Sequence, residues 1–260
     1  MSLADRLRSP VAEERVAAIA ELREQERVGS AELAALADCL GHDEKAVQRP
    51  AAEAFAALGE RGVDVRDVLL AALASPDSGR RWAAAFALAR LHAPADLLLP
   101  VLLETLGVDD GDLRWAAATI VVGLAERGQV LEKLRGLLPS GNAAQRKMAL
   151  YCLRDLGVRA AEVDSAVVRC LADEDRDVQL AAVATLARLA TDRSAAAAHL
   201  LRALDAIDPG LRRAAAAGLG ALGEYSPPVL AALEHARSSA DASLARAAAG
   251  ALRQLGRGSP

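Results

Sequence analysis

The stretch "DPGLRRAAAAGLGALG" (Asp208 to Gly223) decides the fold of this chain, because with substitutions it is written eight times. Taking its Arg212 as the reference, the equivalent positions are Arg15, Gln48, Arg81, Arg114, Arg146, Gln179, Arg212 and Ala245. The spacing is 33 residues throughout, except for the 32 between Arg114 and Arg146. A fixed period of this length is the signature of stacked supersecondary units.

Each copy has the same internal order. Four residues before the reference stand Asp77, Asp110, Asn142, Asp175, Asp208 and Asp241, side chains that accept hydrogen bonds from the free amides of a first helical turn. Seven residues after it stand Leu22, Phe55, Leu88, Val121, Leu153, Leu186, Leu219 and Leu252, one core position per copy. The spacing predicts a helix, here called B, in each copy.

A second helix, A, precedes each B. Its mark is an apolar residue twelve before the reference and another eight before it: Leu3 and Leu7, Leu36 and Leu40, Leu69 and Leu73, Leu102 and Leu106, Leu134 and Leu138, Val167 and Leu171, Leu200 and Leu204. Residues four apart share a helical face. The last copy departs from the rule, with Arg237 after Leu233, as a polar terminal cap requires. Pro50, two after its reference, predicts that its B helix starts late or kinks, and Pro100 interrupts an A helix.

The pattern therefore predicts an all-α fold: an α-solenoid, a right-handed superhelix of about eight 33-residue helical hairpins. One domain is expected over 1–256, with repeats at about 1–28, 29–62, 63–95, 96–127, 128–160, 161–193, 194–226 and 227–256, and a tail at 257–260. The Thr-Pro-Leu-His signature of ankyrin repeats and the Trp, Gly, Tyr and Phe pattern of tetratricopeptide repeats are both missing. The series Asp, Leu-Arg, Ala-Ala, Leu, Leu-Gly resembles the HEAT-repeat superfamily, in particular its short-repeat branch, similar to the HEAT-like repeats of phycobilisome lyases. That resemblance implies B helices lining a concave side and an Asp–Arg ladder along the stack, which would make Asp77, Arg81, Asp110, Arg114, Asp208 and Arg212 structural.

Composition narrows the function classes. Apolar residues make up 53% of the chain and aromatic ones 2%, mostly Ala, Leu and Val, which suits close-packed helices. A net charge of -4 argues against a dedicated nucleic-acid binder. No stretch approaches the roughly 18 apolar residues of a membrane span, and the N-terminal "MSLADRLRSP" has no apolar signal region, so a cytoplasmic location is expected. Cys39, Cys152 and Cys170 form no CxxC pair, and His42, His92, His199 and His235 have no partner at ligand spacing. No metal, cofactor or catalytic residue is expected. The absence of a His-Glu dipeptide makes the di-iron HEAT-repeat hydroxylases a poor match.

The chain has six aromatic residues, and four of them fall on one stripe of helix B. Positions one and five after the reference project away from the core, and they hold Trp82 and Phe86, Trp115 and Thr119, Lys147 and Tyr151 in three consecutive repeats. Position eight extends the stripe with Arg154, and position one elsewhere carries Arg49, Arg213 and Arg246. Stacked helices would spread Trp82, Trp115 and Tyr151 over about 20 Å. Exposed aromatic clusters are typical binding hot spots.

The expected function is a non-enzymatic, monomeric scaffold or adaptor whose groove, aromatic at its centre and basic at its flanks, takes a protein or peptide segment of acidic character. The competing reading of the rings is packing between adjacent helices. The repeat resemblance alone suggests a bilin lyase-like chromophore attachment factor or chaperone. A third reading, nucleic-acid binding, follows from HEAT-like DNA glycosylases, which place a carboxylate beside their aromatic residues where this chain has Phe86 and Thr119.

Overall fold

Why each copy of the repeat becomes a hairpin is visible at the start of helix B. The carboxylate of Asp208 accepts from the Leu211 amide at 2.7 Å, that of Asp175 from the amides of Asp177 and Val178, and that of Asp241 from Ser243 and Leu244. Asp77 and Asp110 cap in the same way, and Asn142 closes a reciprocal capping box with Gln145. All six predicted caps are used. The reference side chain then clips the turn between A and B. Arg15, Arg81, Arg114 and Gln179 each donate to the backbone carbonyl six residues earlier, at Ser9, Ser75, Val108 and Asp173.

The computed structural model describes residues 1–257, so of the expected tail residues 258–260 lie outside the described residues and Arg257 is the last residue of a helix. Sixteen helices and no strand are found among the described residues. The A helices are α1 (Leu3–Leu7), α3 (Ser30–Cys39), α5 (Arg66–Leu73), α7 (Ala95–Thr105), α9 (Arg127–Ser140), α11 (Ala161–Cys170), α13 (Arg193–Leu204) and α15 (Pro227–Arg237). The B helices are α2 (Ala12–Glu24), α4 (Lys45–Glu60), α6 (Ser78–Arg90), α8 (Gly111–Gly123), α10 (Ala143–Leu156), α12 (Arg176–Leu189), α14 (Pro209–Leu222) and α16 (Ala242–Arg257). A and B helices alternate in chain order through the described residues, the element pattern of an α-solenoid.

Two compact units are distinguished. The first comprises Met1–Thr105 with Gly123–Glu126, the second Leu106–Val122 with the chain from Arg127 onward. Within the first, α2 packs on α4 and α4 on α6, while α1, α3 and α5 form the other layer. Within the second, α10 packs on α12, α12 on α14 and α14 on α16, with α9 against α11 and α13 against α15. Each hairpin thus covers the apolar flank of its neighbour within the unit. The core position seven after the reference is buried from Leu22 through Leu219, and Leu252 of the last repeat is half-buried. Arg237, in its Leu slot, is exposed and pairs with Glu234.

Helix α4 begins at Lys45 and runs through Pro50, so of the two expected outcomes the late start is excluded, and α7 runs from Ala95 to Thr105 through Pro100 rather than being interrupted there. Between repeats, Arg81 pairs with Glu104 and Arg146 with Asp173 of the following repeat, and the capping Asp208 also pairs with Arg176 of the preceding one at 2.8 Å. Gly59 and Gly256 lie inside α4 and α16, whereas Gly157 and Gly223 end their helices in the left-handed conformation. In the equivalent slot of the third repeat His92 takes that conformation, with φ 56°.

Candidate functional site

The four stripe aromatics form two pairs of different character. In the first unit, Trp82 on α6 is buried, with 6% of its surface exposed, and its ring lies 6.2 Å from that of Phe86 at a tilt of 54°. A tryptophan so enclosed is a packing residue, so the expectation that Trp82 projects into an open groove is corrected. Phe86 is half-buried beside it.

In the second unit, Trp115 on α8 is 51% exposed. Its ring stacks on Tyr151 of α10, with centroids 5.5 Å apart and planes 12° from parallel. The Arg154 guanidinium carbon stands over the Tyr151 ring, 4.9 Å from its centroid, within cation–π range. The ring pair forms across α8 and α10, Trp115 standing one after its reference and Tyr151 five after its own. A pocket of about 210 Å³ opens here, lined by Trp115, Ala118, Thr119, Val122, Tyr151, Cys152 and Asp155. Thr119 spends its hydroxyl on the Trp115 carbonyl at 2.9 Å. Burial pushes the Cys152 thiol up to about 12, so the pocket holds no thiolate at neutral pH.

The charges are arranged differently from the predicted basic stripe. Lys147 reaches Asp177 of the next B helix at 2.6 Å, and that hydrogen bond and charge hold the Asp177 carboxyl below its ordinary range. Arg154 pairs with Asp155 at 2.9 Å. Both cations beside the aromatic pair are therefore compensated. Arg49, Arg213 and Arg246 are exposed on α4, α14 and α16, and Arg246 donates to the Ser243 hydroxyl.

A larger groove was not marked by the aromatic stripe. It has a volume of about 740 Å³ and lies on the second unit along α12 and α14. Its floor is Leu180, Ala184, Ala187, Ala214, Ala217 and Ala221, and its rim carries Arg159, Arg188 and Arg193. The sequence signal was available: basic residues recur around the turns that leave helix B, a region outside the stripe positions.

Among the described residues no group of three or more His, Cys, Asp or Glu stands together as a metal site, and no helix is long and apolar enough to cross a membrane. Cys39, Cys152 and Cys170 are buried free thiols.

Residues 163–253, repeats six to eight, match the family described as HEAT repeats. No curated protein matches the chain in sequence. Among solved structures it is similar to YibA of E. coli, with 17% identity and a TM-score of 0.60 over 98% of this chain and 91% of that one. It is also similar to yeast importin-beta (Kap95p), with 12% identity and a TM-score of 0.62 over 97% of this chain and 40% of that one. A structure from a study of Kap95p binding to RanGDP gives a TM-score of 0.67 at the same identity and coverage. At these identities the likeness is one of fold. The HEAT-repeat match is thus carried by residues 163–253, and over the rest of the chain the likeness to these structures is one of solenoid fold.

Proposed function

We propose that this protein is a non-enzymatic, cytoplasmic scaffold that captures a segment of another protein on the B-helix face of its second unit. The observation that carries the reading is Trp115. An indole half open to solvent, yet stacked on Tyr151, whose ring also meets the Arg154 guanidinium, loses little conformational freedom on binding and presents a large apolar surface. The adjoining pocket of about 210 Å³ would seat one apolar side chain of the partner beside that ring.

HEAT repeats serve generally as protein-interaction scaffolds, and Kap95p, similar in fold, binds RanGDP. The occupant proposed here is an acidic protein segment. Trp115 and Tyr151 supply the apolar anchor, and Arg213 and Arg246, exposed on later B helices, supply positive charge along the same face.

The test is a Trp115→Ala, Tyr151→Ala double variant used as bait in the native cell extract beside the wild type. Loss of a specific co-purifying protein, with unchanged helical circular dichroism, is expected. Retention of the same partner by the double variant would refute the assignment.

A further inference from the structure

The large groove on α12 and α14 combines three features. Its floor is built from two rows at helical spacing, Leu180, Ala184 and Ala187 on α12 and Ala214, Ala217 and Ala221 on α14. Short side chains let a docked helix approach to normal interhelical distance, about 8 to 10 Å, and two parallel rows make a trough that a third helix can fill. Its volume of about 740 Å³ is open to solvent in part, with Ala184 and Ala217 both exposed.

The rim is cationic without compensation. Arg159, in the turn after α10, Arg188, in the last turn of α12, and Arg193, the first residue of α13, all line the groove and are exposed. Arg159 donates one N–H to the Arg188 carbonyl at 3.1 Å, which fixes it at the rim, and no carboxylate lines the groove. Asp192, the acid next to Arg193 in sequence, is engaged in capping α13 by accepting from the Ala195 amide. This contrasts with Lys147 and Arg154, which are both ion-paired.

From this juxtaposition we infer that the α12–α14 groove is a second docking site, for an amphipathic helix of a partner protein with an apolar face of Leu and Ala and glutamates along its flanks. The apolar face covers the alanine floor, and the carboxylates meet Arg159, Arg188 and Arg193. A helix satisfies both requirements because one face can carry apolar residues at i, i+3, i+4 and i+7 while its edges carry charge. Arginine forks hold carboxylates through two N–H donors, which gives register as well as affinity. The inference does not depend on Trp115, which lies on a different pair of helices.

The experiment is fluorescence anisotropy with the full chain and two fluorescein-labelled peptides of roughly four helical turns. One carries Leu and Ala on one face with Glu on both flanks, and the other replaces every Glu by Lys. The Glu peptide is expected to bind, and its affinity to fall about tenfold or more in an Arg159→Ala, Arg188→Ala, Arg193→Ala variant. Binding should also weaken between roughly 50 and 200 mM salt. Ala217→Trp, which fills the trough and leaves the charges in place, should abolish binding as well, while Trp115→Ala leaves it unchanged. Circular dichroism checks that each variant is folded. Equal binding of the Lys peptide, undiminished binding by the triple variant, or no binding by the wild type would overturn the inference. Loss with Trp115→Ala would also overturn it, by moving the occupant to the aromatic pair.

Discussion

The ring of Trp115 lies on that of Tyr151, 5.5 Å between centroids and 12° from parallel, so two residues 36 positions apart in sequence form one flat aromatic surface. The same two repeat positions that generate this pair generate Trp82 and Phe86 on a single helix, where the indole is enclosed. One stripe of the repeat has thus been used twice, for packing in the first unit and for an exposed surface in the second.

That division predicts opposite outcomes for two like substitutions. Trp82→Ala should cost about 3–5 kcal/mol, the range for removing a large buried ring. Trp115→Ala should cost about 0.5–1.5 kcal/mol, the value of an aromatic pair. Urea unfolding followed by circular dichroism compares them, and equal losses would contradict the assignment of roles.

His92 holds φ 56° at a helix end where the fifth and seventh repeats place Gly157 and Gly223. A side chain in the left-handed region is strained and glycine is not. His92→Gly should therefore stabilise the chain by about 0.5–1 kcal/mol despite the greater freedom of glycine when unfolded. The melting temperature reports the sign.

Gly220 is a matter of space. A methyl group there would stand 2.6 Å from the Ala251 backbone, between α14 and α16. Gly220→Ala gains helix propensity but forces the two helices apart, so a net loss of about 1–3 kcal/mol is expected in thermal or urea unfolding.

Much of this was legible in the sequence, because a repeat offers the same information eight times. The caps at Asp77 through Asp241 and the core slot from Leu22 to Leu219 follow from short-range chemistry that each copy repeats. Exposure on the stripe did not follow. Whether position one after the reference is covered depends on neighbouring side chains, and Trp82 and Trp115 are indistinguishable by position alone. The ion pairs of Lys147 and Arg154 were hidden for a related reason. Lys147 reaches Asp177 in the next repeat and Arg154 turns to its own neighbour, so the count of basic residues along the stripe overstated its free charge.

Acid should loosen the second unit through Asp173. Burial pushes its carboxyl up, but the hydrogen bonds from Arg146 and from the Asp175 amide, with the Arg146 charge, outweigh that and leave it below the ordinary value. The pair is two-pronged, at 2.8 and 2.7 Å, and the two side chains are only 14% and 10% exposed. A carboxyl lowered in the folded state contributes stability above its unfolded pKa, about 3.9, and loses it as pH falls through the folded one. Melting temperature should accordingly drop below about pH 4, and Asp173→Asn should be less stable at pH 7 by about 1–3 kcal/mol and show a shallower acid loss. An identical acid profile for the variant would remove Asp173 from the account.

The claim that Trp115 marks a protein-binding surface is tested most directly by photo-crosslinking in the native cell. A benzophenone amino acid is placed at position 115 and, separately, at Glu132, an exposed residue of A helix α9. A discrete adduct containing a peptide of one other protein is predicted from position 115, with none from position 132. No adduct from position 115, or the same adducts from both positions, would contradict it.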